Sequence, residues 1–256
     1  MQIILHCVNA AQRFWNNMTL VVAPAMGATF LRGKNMSVSL FDILGPITVG
    51  PSSSHTAGAV RLGLACRMLL DEDIKKAKIT LFGSFAETAK GHGTDKAIVG
   101  GLLGHKPSDI ENRRSLEIAQ ENGMEISFEE AQEPRYHPNS VRIEAESVSG
   151  KTINLRGSSL GGGAIMINTL NGFTINTPCN QDTLVIIHLD VSGILSAITT
   201  IMSWAGYNIS NMSLTRTKKN GDVVSLIETD VPVAEDTVDM LRKTKNVIQI
   251  IKIPKF

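Results

Sequence analysis

The last third of the chain constrains the fold most, because the spacing of its apolar residues switches between that of a strand and that of a helix in a fixed order. The first helix predicted there carries Ile194, Ile198 and Ile201 at the spacing of one helix face. Asn220-Gly221 is typical of a hairpin turn between two strands. The predicted elements are a strand, a helix, two strands, a helix and a strand, over residues 183–190, 193–205, 208–217, 223–229, 235–245 and 247–253. This βαββαβ order predicts a ferredoxin-like sheet with one open face or edge, which such units usually cover by pairing with a partner.

Residues 37–177 are predicted to form a mixed α/β unit. Its first helix carries Val60, Leu64 and Met68 at helical spacing. Asn171-Gly172 is a hairpin signal, and residues 157–163 are interpreted as a flexible glycine-rich connector. The predicted helices and strands cover residues 57–70, 78–82, 94–103, 113–122, 141–146, 151–155, 164–170 and 173–177. Because residues 178–182 look like a linker, the predicted fold class is α/β (α+β), with domains over 36–178 and 183–256.

Residues 1–35 are predicted to lie outside both domains. The stretch 18–31 is uncharged and faintly resembles a signal peptide, but Pro24 and Gly27 interrupt it. Met36 opens the first patterned segment, so we interpret the preceding residues as a poorly ordered extension or the product of an upstream start. A targeting segment is the less favoured alternative. No uncharged apolar run reaches the about 18 residues of a membrane helix without Pro or Gly, so no membrane association is expected.

Charge and cysteine content exclude several classes of protein. A net charge of +1, from 25 basic and 24 acidic residues, gives no electrostatic reason to expect nucleic acid as a partner. Cys7, Cys66 and Cys179 are far apart and form no CxxC pair. The chain alone therefore cannot supply a standard zinc or iron–sulfur ligand set. The same spacing argues against a disulfide scaffold and favours a reducing cytoplasm.

The segment 45–58 is the strongest candidate for a chemical site. It places Ser52, Ser53, Ser54, His55 and Thr56 at the start of a predicted helix, behind two prolines. Backbone N–H groups at a helix start are unpaired and favour anions. A carboxylate bound there would lie beside His55, which can move a proton near neutral pH. The alternative is plain helix capping, for which one serine is enough.

Two further segments have a similar character. In Gly91-His92-Gly93-Thr94-Asp95, glycines allow close approach before a second helix start. His92 and Thr94 are candidate substrate contacts, although Thr94 could be a simple cap and His92 a turn residue. Asn139, in His137-Pro138-Asn139, is a weaker candidate because Pro and Asn also favour ordinary turns.

These segments, in this order, resemble the β chain of bacterial iron–sulfur-dependent L-serine dehydratases. The resemblance covers residue 36 to the C-terminus and leaves the first 35 residues unmatched. The motifs that carry it are Gly50-Pro51-Ser52-Ser53-Ser54-His55-Thr56, Gly83-Ser84-Phe85-Ala86-Glu87-Thr88, Gly91-His92-Gly93-Thr94-Asp95-Lys96-Ala97, His137-Pro138-Asn139 and Gly157-Ser158-Ser159-Leu160-Gly161-Gly162-Gly163.

The resemblance implies a lyase subunit that converts L-serine to pyruvate and ammonia by α,β-elimination. The family uses a 4Fe–4S cluster, whose ligands would belong to a separate α subunit, so this chain should be inactive alone. By resemblance, His55 would transfer a proton. The substrate carboxylate and amino group would be bound by the serines and threonine around it, Ser52, Ser53, Ser54 and Thr56. Which chain supplies the base for the Cα proton stays open.

The C-terminal unit resembles an ACT domain, a fold that often binds amino acids. Asp190, Ser192, Gly193 and Ile194 stand where such domains hold an effector, and serine or a related amino acid is the natural candidate. The alternative is an ordinary strand–helix turn capped by Ser192. The first domain also resembles the allosteric substrate-binding domain of some phosphoglycerate dehydrogenases.

Two other functions are open from the sequence. The chain could be a non-catalytic serine-binding module that regulates another enzyme. A pyridoxal-phosphate dehydratase is less favoured, since no lysine stands in an obvious Schiff-base setting.

Overall fold

The computed structural model describes residues 53–216 and 221–255. The prediction for residues 1–35, the candidate Ser52 and the turn residue Asn220 lie outside the described residues.

The first part of the described chain builds a six-stranded sheet with helices. A π-helical turn, Ser53–Gly58, leads directly into the first helix. The helices are α1 (Ala59–Leu70), α2 (Ser84–His92), α3 (Thr94–Leu102) and α4 (Ser115–Glu121), with a 3-10 turn at Ile110–Arg114. The strands are β1 (Ile74–Phe82), β2 (Glu125–Ala131), β3 (Ser140–Ser147), β4 (Thr152–Gly161), β5 (Ala164–Leu170) and β6 (Phe173–Thr177). Their order is β2-β1-β3-β4-β5-β6, and β2 is parallel to β1 while the other pairs are antiparallel.

The second part forms a four-stranded sheet. Its elements are β7 (Asp182–Leu189), α5 (Ile194–Trp204), β8 (Ile209–Arg216), β9 (Asp222–Thr229), α6 (Glu235–Arg242) and β10 (Val247–Ile253). The order β10-β7-β9-β8, with every pair antiparallel, is that of the ferredoxin-like split unit. Ile198 of α5 and Leu241 of α6 lie fully buried in one apolar cluster with Ile186 of β7. The predicted fold class is confirmed.

One face of this sheet packs against α5 and α6, and the chain itself also covers the second face. Val185, Ile187 and Leu226 point away from α5 and α6 and share one buried cluster with Ile143 and Leu155 of the first sheet. Of the two alternatives expected, an open face or an open edge, the structure has the open edge, because strand β8 lies largely exposed. The sequence does carry the signal, because β7 is apolar at consecutive positions, which is typical of a strand buried on both faces.

Two local predictions were wrong. Gly157 and Gly161 belong to β4, so the predicted flexible connector is largely a strand. A Cβ atom at Gly157 would lie 2.4 Å from Cδ2 of Leu62, so the small residue lets α1 approach the sheet. Met68, predicted to lie on the buried face of α1, is 41% exposed, whereas Leu62 and Cys66 are buried.

Helix α1 packs unusually close to α3. A Cβ atom at Gly101 would lie 2.0 Å from the carbonyl oxygen of Val60, and one at Gly63 would lie 2.1 Å from that of Ile98. Backbone therefore meets backbone where the two helices cross. This contact fixes the position of α1 and of the π-helical turn at its start. Within the part of the chain that the structure describes, no helix is both long and apolar enough to span a bilayer.

Candidate functional site

The π-helical turn before α1 places His55 between two hydroxyl groups. Its Nδ1 lies 3.2 Å from Oγ of Ser54, and its Nε2 lies 3.1 Å from Oγ of Ser84, at the start of α2. The His55 ring also contacts His92, with 5.1 Å between ring centroids, and the edge-on ring of Phe85 at 5.4 Å. The structure thus brings together three predicted residues, Ser54, His55 and His92. It adds Ser84 and Phe85, which the sequence indicates only as members of the motif over residues 83–88.

The start of α2 is tied to the loop that holds Asn139. Gly83 adopts φ +51°, and a Cβ atom there would lie 2.8 Å from the carbonyl oxygen of Pro138, so this position requires glycine. The N–H of Phe85 donates to the same carbonyl at 3.3 Å. The carbonyl of Asn139 in turn accepts from the N–H of Ser159 at 2.9 Å. The Pro138–Asn139 loop therefore lies beside the site and is joined to it through backbone groups.

Three hydroxyl groups near this turn are buried without a hydrogen bond among the described residues: those of Thr56, Thr94 and Ser159. Burying an unpaired hydroxyl costs about 1–3 kcal/mol, so each is a candidate to bind a polar ligand. Thr94 does not cap α3, whose start at Gly93 has no side-chain capping bond. Ser159 was missed as a single residue, since its motif had been interpreted as a connector. It packs on Gly58, where a Cβ atom would lie 2.0 Å from the Ser159 Oγ.

The surroundings of His55 favour its neutral form. Burial, and secondly the positive charge that His92 can carry, hold the pKa of His55 below its ordinary value. A neutral imidazole at physiological pH can accept a proton, and the hydroxyl groups of Ser54 and Ser84 flank both of its ring nitrogens. Ser53 opens the same turn.

The described cysteines do not fit a metal cluster. Cys66 and Cys179 are buried, and burial raises the pKa of each thiol to about 12, which disfavours the thiolate that a metal requires. No group of three or more His, Cys, Asp or Glu side chains in residues 53–216 and 221–255 could hold a metal ion.

The candidate effector residues share the loop between β7 and α5. Gly193 adopts φ +87° before α5, and no side chain caps this helix, so the predicted cap by Ser192 is wrong. Asp190 forms an ion pair with Arg216, whose Nη1 lies 3.4 Å from the carboxylate. No pattern in the sequence singles out Arg216, which lies on β8. Ile194 is buried beneath the loop.

The chain matches known proteins along most of its length. The profile of the family described as serine dehydratase beta chain matches residues 39–169. The probable L-serine dehydratase, beta chain, of Bacillus subtilis strain 168 is 37% identical over 215 residues, which are 84% of this chain and 97% of that protein. The L-serine dehydratase, beta chain, of Peptoniphilus asaccharolyticus is 36% identical, over 77% of this chain and 89% of that protein.

Longer relatives contain the same segment. L-serine dehydratase 1 of Escherichia coli K12 is 33% identical over 154 residues, which are 50% of this chain but 33% of that protein. Among solved structures, the ACT domain from GTP pyrophosphokinase of Chlorobium tepidum aligns with 29% of this chain and 86% of its own, at 20% identity and a TM-score of 0.25.

Proposed function

The chain belongs to the serine dehydratase beta-chain family, and we propose that it is the β subunit of an L-serine ammonia-lyase. In this reaction L-serine loses the Cα proton and the β-hydroxyl as water, and the resulting aminoacrylate tautomerises and hydrolyses to pyruvate and ammonia. The observation that carries the proposal is the position of His55 between two hydroxyl groups, inside the segment that matches the family. Burial and His92 also hold the pKa of His55 below its ordinary value.

We propose that a separate α subunit completes the enzyme. Two relatives are named beta chains, and this chain matches one third of a longer protein named L-serine dehydratase 1. The described cysteines do not fit a cluster, so the 4Fe–4S cluster implied by the family is assigned to the α subunit. The assembled enzyme is expected in the cytoplasm.

Each group around the turn has a proposed task. The buried hydroxyls of Thr56 and Thr94, with the serines of the turn, are suited to bind the carboxylate and amino group of serine. His55 transfers a proton, because a neutral imidazole can accept one and later return it. His92 lies against His55 and lowers the proton affinity of the His55 ring. Asn139 holds the loop beside the site.

We propose that residues 36–178 form the part that completes the active site and that residues 183–256 act as an ACT domain. Its loop of Asp190, Ser192, Gly193 and Ile194 would bind a small amino acid, serine being the natural candidate. The ammonium group of such a ligand would compete with Arg216 for the Asp190 carboxylate.

Anaerobic pyruvate formation from L-serine tests the proposed function. This chain alone, the cluster-loaded α subunit alone and the two together are compared. Pyruvate is expected only from the two chains together. If the assembled pair binds L-serine but makes no pyruvate, the chain is a serine-binding regulatory module and the enzyme proposal fails.

The acid limb of the pH profile is expected to depend on His92. Protonation inactivates a histidine that must accept a proton, so activity falls as the pH drops through the depressed pKa of His55. His92→Gln removes one of the two causes of that depression. The limb of kcat/KM for L-serine should therefore move to higher pH, toward the ordinary histidine value of 6.5. An unmoved limb, or one displaced to lower pH, would contradict this role, and His105→Gln serves as the control.

The cysteines of this chain are expected to be dispensable for the cluster. Cys66→Ala and Cys179→Ala, made separately, should leave the iron content of the assembled pair unchanged. Each should lower the stability of the fold by only about 1 kcal/mol, as for typical point substitutions. Loss of iron from either variant that remains folded would show that this chain contributes a ligand.

A further inference from the structure

Two arginines face each other on the first sheet. Arg142 of β3 and Arg156 of β4 are directly paired across the two strands, and both side chains are half-buried. Like charges directly opposite on a sheet are destabilising. In the part of the chain that the structure describes, neither guanidinium forms an ion pair with a carboxylate.

Aromatic rings hold these two guanidinium groups in place. The Cζ of Arg156 lies 4.1 Å from the ring centroid of Tyr136, and that of Arg142 lies 5.6 Å from the ring of Phe82. The two rings contact each other edge to face, with 5.2 Å between their centroids. A ring face attracts a cation that lies over it, and a guanidinium carries several N–H donors that can bind an oxyanion. The rings supply no negative charge of their own.

A recess of about 420 Å³ opens beside this pair. Its lining has no acidic residue and consists of Arg135, Tyr136, His137, Arg156, Ser158 and Asn168. The Nδ1 of His137 accepts the N–H of Asn139 at 3.1 Å, so Nε2 carries the N–H of the ring and is left as a donor. Arg135 is already paired with Glu133, with 2.9 Å between Nε and the carboxylate, which leaves Arg156 as the main cation of the lining.

This recess is separate from the His55 site. Side chains alternate along β4, so Arg156 and Ser158 lie on one face of the sheet and Gly157 and Ser159 on the other. Gly157 and Ser159 face the helix side, where they meet Leu62 and Gly58. The recess therefore opens on the opposite face.

We propose that the recess binds a small free oxyanion, a carboxylate or a phosphate, between Arg156 and His137. Arg142 adds positive charge from the adjacent strand, and the Arg156 guanidinium lies over the ring of Tyr136. The nearest acidic residue along β3, Glu144, already accepts a hydrogen bond from Asn154 at 3.2 Å. An oxyanion would relieve the repulsion between the two arginines and would accept hydrogen bonds from the donors that line the recess. This inference does not depend on the proposed function.

Calorimetric titration of the full chain tests the proposal, with sodium phosphate and sodium acetate as probes and sodium chloride at matched ionic strength. Saturable binding of phosphate or acetate, but not of chloride, is expected. Arg156→Gln should weaken that binding by about tenfold or more, since it removes a charge-assisted hydrogen-bond donor. Arg156→Lys, which keeps the charge but loses the planar fork, should have an intermediate effect.

Arg114→Gln is the matched control. It removes one positive charge from an exposed residue of the chain that pairs with Glu117. Equal weakening in the control would reduce the effect to net charge and overturn the proposal, and so would the absence of saturable binding by both probes. If neither probe binds while Arg156→Gln weakens assembly with the α subunit, the recess is a contact for an acidic side chain of that subunit and the free-anion proposal fails.

Discussion

His55→Ala is expected to lower kcat/KM for L-serine by about 10²- to 10⁴-fold in the assembled enzyme, the usual contribution of a general acid–base residue. The reason is local. His55 is held by Ser54 and Ser84, and its pKa is depressed, so it is the neutral group best placed to transfer a proton in this turn. Steady-state pyruvate formation under anaerobic conditions measures the effect.

Two controls separate chemistry from folding. His105→Gln changes a histidine in a loop between α3 and α4, outside the contacts of the turn, and should leave kcat/KM near the wild-type value. The melting temperature of the His55→Ala chain should stay close to that of the wild type, because the ring is only half-buried. Full activity of a folded His55→Ala enzyme would remove His55 from the site.

Gly101→Ala is expected to destabilise the chain by about 1–3 kcal/mol or more, as overpacking does in a tightly packed core. The added Cβ atom would lie 2.0 Å from the carbonyl oxygen of Val60 and 2.5 Å from the N of Leu64. Both are backbone atoms of α1, so the helix itself must move. Because α1 begins at the π-helical turn, its displacement should also reduce activity. Urea unfolding of the full chain measures the loss.

Gly91→Ala is the matched control for this change. Gly91 also lies in a helix, α2, but a Cβ atom there would meet nothing within 4 Å. Replacing a helical glycine with alanine in open space should be neutral or stabilising by up to about 1 kcal/mol. If Gly101→Ala and Gly91→Ala unfold at the same urea concentration, the close crossing of α1 and α3 is not a constraint on the fold.

The sequence predicted best those features that depend on neighbouring residues. The turn at Asn171-Gly172 was expected to join strands 164–170 and 173–177, and β5 and β6 have these bounds. Both signals lie within a few neighbouring residues. An Asn-Gly pair accepts the backbone angles of a tight hairpin, and the flanking residues carry the strand pattern. His188 stands in the apolar run of β7 and is buried, with its Nε2 2.9 Å from Oγ of Ser225.

Features that depend on distant contacts were not predictable in the same way. The contact between His55 and Ser84 joins residues 29 positions apart, and no periodicity indicates it. The glycines of β4 looked flexible because composition does not reveal that α1 packs on them. Ser84 and Ser159 do stand in two of the motifs that carry the family resemblance, which is the one sequence signal that points to them.

The pairing of Arg142 with Arg156 could not be predicted from the sequence for a similar reason. Arg142 and Arg156 are 14 positions apart, and only the register of β3 with β4 places them opposite each other. Their aromatic supports, Phe82 and Tyr136, come from two further segments. A pattern built on strand pairing therefore needs the fold before its chemistry can be recognised.

Pyruvate formation from L-serine, measured anaerobically while this chain is titrated into a fixed amount of cluster-loaded α subunit, tests most directly whether two chains share one dehydratase. We predict a rate near zero without this chain, which rises with each addition to a plateau once the α subunit is fully assembled. A rate already maximal with the α subunit alone would contradict the shared active site. So would the absence of pyruvate at every ratio although the two chains copurify with the cluster intact.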